Sequence, residues 1–161
     1  MRRERTAIRC DGGVRVDDPD LDRIVGRGWA RELLGLLVTS RDHALGTDEI
    51  VDALWGPDAP PTAPTMVHGG IRRLRQALGG GAVIRRTEGY LLDPSSLVVD
   101  LWTVEDLLGR GQAQAARTLL AAEPFGRLRN RPWAEAAIAR LERAMRTDLV
   151  PGPGAGGAGS C

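Results

Sequence analysis

The sequence predicts an α+β fold: a strand hairpin, three helices and a second hairpin within residues 1–95, then helices alone. Three observations predict it. Short alternating runs stand at both ends of the first part, apolar residues recur at helical spacing between them, and alternation stops beyond Pro94. With 161 residues there is room for one ordinary domain, or a small domain with an appendage.

The first hairpin is read from Ala7-Ile8-Arg9-Cys10 and Val14-Arg15-Val16 around Asp11-Gly12-Gly13, a glycine-bearing turn between alternating residues. The acidic run Asp17 to Asp22 then reads as a solvated loop. Helix one follows from Trp29, Leu33, Leu36 and Leu37, which fall on one helical face. Thr47 stands as the N-cap of helix two, with Asp48 and Glu49 in the first turn where the helix dipole favours carboxylates. Its core face is Ile50, Val51, Leu54 and Trp55. Gly56 to Pro64 is too proline-rich to be other than a loop, and Pro64 suits the start of a helix.

Helix three, about Thr65 to Leu78, has the clearest pattern. Val67, Ile71, Leu74 and Leu78 form a narrow apolar stripe; Thr65, His68, Gly69, Arg72, Arg73 and Gln76 lie opposite, and Arg75 flanks the stripe. Gly79-Gly80-Gly81 ends it. Val83 to Arg86 and Gly89 to Leu92 form the second hairpin. Beyond Pro94, Leu101, Val104, Leu107 and Leu108 mark one amphipathic helix, and Ala115, Ala116, Leu119 and Leu120 a second. Trp133, Ala137, Leu141, Ala144, Met145 and Leu149 mark a third. Trp55, Trp102 and Trp133 suit helix docking. The Gly/Pro tail 151–161 lacks the side chains to pack and is expected to be disordered.

Net charge is only +1, yet all 22 basic residues are Arg. Residues 65–90 hold five Arg against one Glu, whereas residues 15–64 hold five Arg against ten acids. Helix three and the second hairpin are therefore a basic segment on an acidic neighbour, and Arg is the side chain whose planar fork fits phosphates and guanine edges.

Other chemistry is excluded residue by residue. Cys10 and Cys161 give neither a disulfide framework nor a metal site, and His43 and His68 lack companions at ligand spacing. Asp18-x-Asp20-x-Asp22 imitates the start of a calcium loop, but Arg23 replaces the required Gly and Trp29 the terminal Glu. No glycine run precedes a Lys-Ser/Thr pair, and no nucleophile-base or paired-carboxylate spacing appears, so neither a cofactor nor an enzyme is expected. The absence of a signal segment or of an apolar run near ~18 residues leads to a cytoplasmic, nucleoid-associated expectation without membrane contact.

Ile71-Arg72-Arg73-Leu74-Arg75-x-x-Leu78 with Val83-Ile84-Arg85 and Gly89-Tyr90 resembles the OmpR/PhoB-type winged helix-turn-helix. Glu49 to Gly56, the Pro-rich loop, Gly89 to Asp93 and Val99-Asp100-Leu101-Trp102 resemble, more narrowly, the SARP (AfsR-type antibiotic regulatory protein) transcriptional activators. The likeness runs from Trp29 to Leu149. It implies a winged-helix DNA-binding domain over 1–95, and over 96–150 a truncated bacterial transcriptional activator domain of tetratricopeptide-like helices. It also implies duplex DNA, as promoter direct repeats, and RNA polymerase as partners, with a homodimer on DNA. The activity implied is transcriptional activation, of a biosynthetic gene cluster, with helix three in the major groove and the wing, about 83–92, alongside. By position Thr65, His68, Arg72, Arg73 and Arg75 would face DNA, with Arg73 the base contact, and Arg85, Arg86 and Thr87 would serve the wing. Asp58, Ala59 and Thr62 would belong to the polymerase-contact loop.

Two departures from the family pattern bear on this reading. Gly69 and Gly70 replace side chains that these families place midway along the recognition helix, which costs helix stability and two potential contacts. Glu88 puts an anion at the wing tip. The alternative is a protein-interaction module derived from this fold that does not bind DNA.

Overall fold

The computed structural model describes residues 4–147; Cys161, Leu149 and the tail 151–161 lie outside the described residues. The first hairpin pairs β1 (Thr6–Arg9) with β2 (Arg15–Val16) in antiparallel register, Ile8 opposite Val16. A third strand joins it. β5 (Leu97–Val99) runs parallel to β1, with Leu97 and Val99 inward and Val98 outward.

The acidic run is not a loop. Asp18 accepts hydrogen bonds from the Asp20 and Leu21 N–H groups and caps α1 (Pro19–Val25), whose first residue is a proline with φ already set for a helix. At seven residues, α1 is too short to show a helical period, so the capping pair Asp18-Pro19 is its main sequence signal.

α2 (Trp29–Thr39) is the central element, with Ala30, Glu32 and every residue from Leu33 to Val38 buried. Against it pack α3 (Thr47–Trp55), α4 (Ala63–Leu78), α5 (Asp100–Gly109) and α7 (Pro132–Thr147). The cap of α3 is Gly46, one residue earlier than expected. Thr47 is already helical, and Glu49 reaches back to accept from the Gly46 N–H at 3.2 Å. α4 starts at Ala63 and places Pro64 in its first turn, where a missing N–H costs nothing. Between α3 and α4, Gly56–Asp58 forms one turn of 3₁₀ helix inside the Pro-rich connection.

The second hairpin, β3 (Val83–Arg86) with β4 (Gly89–Leu92), turns through Thr87 and Glu88. It is tied to the α2–α3 connection by a reciprocal pair of hydrogen bonds between Leu45 and Tyr90, 2.8 and 2.9 Å. Gly89 has φ 144°, and any Cβ there would overlap the Leu45 carbonyl, so only glycine permits this approach.

One hydrophobic core spans both sides of the expected 95/96 boundary. That boundary falls between β4 and β5, and β5 completes the sheet of β1. Asp100, buried at the start of α5, accepts the Cys10 N–H (2.8 Å) and the Asp11 N–H (3.1 Å). The Trp102 indole donates to the Val38 carbonyl at 2.9 Å, and Arg41 lies 5.3 Å over its ring while pairing with Asp106. Further on, α6 (Ala113–Leu119) packs on α5, and a 3₁₀ segment (Gly126–Asn130) leads into α7. The Trp133 ring occupies the space that a side chain at Gly35 would need. Arg131 forms an ion pair with the buried Glu32. Of the helices beyond residue 95, α5 and α7 thus rest directly on α2, and α6 reaches it only through α5.

Candidate nucleic-acid interface

α4 buries Ala63, Val67, Gly70, Ile71, Leu74, Ala77 and Leu78 and turns the rest outward. Thr65, His68, Gly69, Arg72, Arg73 and Gln76 are exposed on that outer side, and the helix carries no acidic residue. Its first turn has no side-chain cap: the Ala63 N–H is bonded to the Pro60 carbonyl, Pro64 has no N–H, and the Thr65 N–H is left at the exposed side of the helix start.

The two mid-helix glycines differ. At Gly69 a Cβ would meet nothing within 4 Å. At Gly70 it would stand 2.7 Å from Leu33 Cδ2 and overlap the ring of Trp29. Gly70 is therefore a packing residue that lets α4 close on α2, not a missing surface contact; only Gly69 leaves a gap on the outer face.

The Arg residues also separate. Arg72 stands on the outer face among the described residues without an ion pair. Arg73 is exposed, but its guanidinium lies beside Gly26, the residue that ends α1, where helix carbonyls give a negative dipole end. Arg75 is half-buried and donates twice to the Val83 carbonyl, 3.0 and 3.3 Å, tying α4 to the first strand of the wing.

On the wing, Arg85, Arg86, Thr87 and Glu88 are all exposed. The backbone around Glu88 sits against the α3 cap, its carbonyl 3.3 Å from where a Cβ at Gly46 would be. The wing is thus short and braced at its tip. Asp58 and Thr62 are exposed and Ala59 half-buried on the α3–α4 connection, the expected polymerase-contact loop. The structure brings Thr65, His68 and Arg72 onto one surface, holds Arg75 at the joint between helix and wing, and sets Arg85, Arg86 and Thr87 on the wing itself.

Helix, turn, helix and braced hairpin in this order make a winged helix, and comparison with known proteins agrees. Residues of the chain are 30% identical over 92 positions to the regulatory protein AfsR of Streptomyces griseus, covering 57% of this chain and 9% of AfsR. They are 30% identical over 95 positions to the transcriptional regulatory protein EmbR of Mycobacterium tuberculosis, covering 54% of this chain and 24% of EmbR. A solved structure, M. tuberculosis EmbR in complex with a low-affinity phosphopeptide, superposes on 89% of the chain with a TM-score of 0.63 at 21% identity, covering 44% of that chain. The chain is similar to regulators of the SARP type.

No protein-family model matches the sequence. The chain spans about a tenth of AfsR and a quarter of EmbR, both regulatory proteins by name. The superposition on EmbR extends beyond the winged helix, since it covers more of the chain than residues 1–95 contain. No helix among the described residues is long and apolar enough to cross a membrane.

The acidic helix α1 beside Arg73, and the committed side chain of Arg75, were not visible in the sequence. Arg75 gave a partial signal, since its flanking position on the wheel already placed it nearer the core than Arg72.

Proposed function

We propose that the chain binds duplex DNA and regulates transcription, with α4 in the major groove and the β3–β4 wing against the adjacent backbone. The observation that carries the reading is the outer face of α4: an uncapped helix start, Thr65, His68 and Arg72 in line, and no carboxylate on the helix. An exposed, acid-free basic helix beside a basic wing fits the dimensions and charge of the major groove. In this arrangement Arg72 is the central base-reading or phosphate-reading cation. Arg73 reaches DNA by leaving the end of α1, and Arg75 positions the wing through Val83. Arg85, Arg86 and Thr87 engage backbone phosphates.

Activation of a biosynthetic gene cluster, occupation of direct repeats by two chains, and contact of Asp58, Ala59 and Thr62 with RNA polymerase extend the same reading. They follow from the family resemblance and from the exposure of the α3–α4 connection. A DNA-binding role places the chain with the nucleoid.

The test is gel retardation of duplexes from upstream of its own gene. Retardation that weakens steeply with salt is expected. No retardation at low salt would remove the proposal.

A further inference from the structure

A cleft of about 690 Å³ opens between the first hairpin turn, the start of α2, the end of α3 and the 3₁₀ segment before α7. Pockets for small organic ligands span roughly 300–1,000 Å³. Two half-buried indoles form one wall: Trp29 and Trp55, ring centroids 6.1 Å apart and tilted by 40°. Phe125, fully buried, and Leu128 line the same cleft.

The charge of the lining is uneven. Four Arg and a single acid, Glu32, face the cleft. Arg131 neutralises Glu32. Arg31 is spent on the Gly26 and Val14 carbonyls and on Asp22, at 2.7–3.1 Å. Arg27 and Arg127 are exposed and form no ion pair among the described residues. Two uncompensated guanidinium groups therefore flank an aromatic wall, at the uncapped N-terminal end of α2, whose N-cap is Gly28. Neither the DNA-binding reading nor the family likeness uses these groups.

We propose that this cleft binds a small planar organic anion, an aromatic carboxylate, with its ring on Trp29 and Trp55 and its charge met by Arg27 and Arg127. Flat indole faces favour a flat ring, and a guanidinium favours a carboxylate, which it binds through paired N–H donors. Trp29 is also the side chain on which α4 closes at Gly70, so the occupant lies one side chain from the candidate DNA-binding helix.

The test uses 2-naphthoate and its neutral counterpart 2-naphthylmethanol, with binding read by calorimetry and by the indole N–H resonances of the ¹⁵N-labelled chain. It involves no DNA, so its outcome is independent of the proposed function. Saturable one-site binding with Kd below about 1 mM is expected. The Trp29 and Trp55 indole signals should move, while that of Trp102, held on the Val38 carbonyl, stays. Replacing both exposed cations, Arg27→Gln with Arg127→Gln, should weaken naphthoate about tenfold or more, since charge-assisted hydrogen bonds are lost. The alcohol should bind as weakly to the wild type as naphthoate does to the double variant. The proposal is overturned by absence of saturation up to roughly 5 mM, by equal affinity for acid and alcohol, by indifference to the double substitution, or by shifts confined to Trp102 and Trp133.

Discussion

Gly69 and Gly70 are adjacent, identical in type and in the same helix, yet the structure assigns them opposite responses to alanine. Both substitutions gain helix propensity worth about 1 kcal/mol. At Gly69 nothing opposes the gain, because the new methyl would point into open space. At Gly70 the methyl would stand 2.7 Å from Leu33 Cδ2 and overlap Trp29, whereas carbon atoms rest at about 3.5–4.0 Å. α2 and α4 must then separate by around an ångström, or Trp29 must leave its place, and overpacking of this kind costs about 1–3 kcal/mol. The propensity gain is common to both variants, so the gap between them is the overpacking cost itself. For a chain of this size each kcal/mol moves the midpoint by roughly 2–4 °C, so Gly70→Ala should melt about 2–12 °C below Gly69→Ala. Thermal unfolding followed by far-UV circular dichroism measures the gap. Equal midpoints, or a higher one for Gly70→Ala, would refute the close α2–α4 packing.

Three further outcomes are expected. Asp100→Ala leaves the Cys10 and Asp11 N–H groups without their buried acceptor and should cost about 3–6 kcal/mol, since hydrogen bonds to a charged group contribute roughly 1.5–3 each; urea unfolding at neutral pH checks it, and a loss under about 1 kcal/mol would contradict it. Stability should fall on acidification: the Ser96 and Ser95 hydroxyls hold Asp93 below the usual carboxylate range, Arg41 does so for Asp106, and the Gly46 N–H and then His43 for Glu49. Burial pushes Asp22 up, but the Arg31 and Val16 donors more than offset it, and its net shift is also downward. A carboxylate depressed in the fold contributes stability above its unfolded pKa and loses it as pH drops through the folded value, so urea midpoints should decline below about pH 5, and Asp22→Asn should differ from wild type less at pH 3 than at pH 7. A midpoint independent of pH down to that value would be inconsistent with these contacts. Finally, burial and then the Asp100 carboxylate push the Cys10 thiol well up, so iodoacetamide should leave Cys10 unmodified in the native chain and alkylate it in urea, as peptide mass spectrometry would show.

The helices with a full apolar stripe were legible in the sequence. Trp29 to Val38 and Val67 to Leu78 repeat often enough to specify a face, and both lie where their spacing put them. The acidic run was not, because α1 has only seven residues and its sign is the Asp18-Pro19 cap, a local signal easily read as a turn. β5 has three residues and pairs with a strand about ninety positions earlier, and no local pattern reports a parallel partner at that distance. The same long-range pairing, with Asp100 on Cys10, joins the segments that the end of alternation and the family resemblance had separated at residue 95. On the candidate interface, periodicity put Arg72 outward and Arg75 at the flank, but the carbonyl of Val83 that holds Arg75 belongs to a different element. Gly70 was misjudged for a related reason. Its neighbours Trp29 and Leu33 are remote in sequence, and a glycine carries no mark of what stands against it.

The most direct test of the proposed DNA-binding surface is the salt dependence of duplex affinity in single Arg variants, measured by fluorescence anisotropy with an upstream duplex. Each lost phosphate contact lowers the slope of log K against log salt by about 0.9. Arg72→Ala and Arg85→Ala, on α4 and the wing, should each lose affinity and about one unit of slope, whereas Arg110→Ala, exposed at the far end of α5, should match the wild type. Equal losses in all three variants, or no change in Arg72→Ala and Arg85→Ala, would contradict the assignment of α4 and the β3–β4 hairpin as the surface that meets DNA.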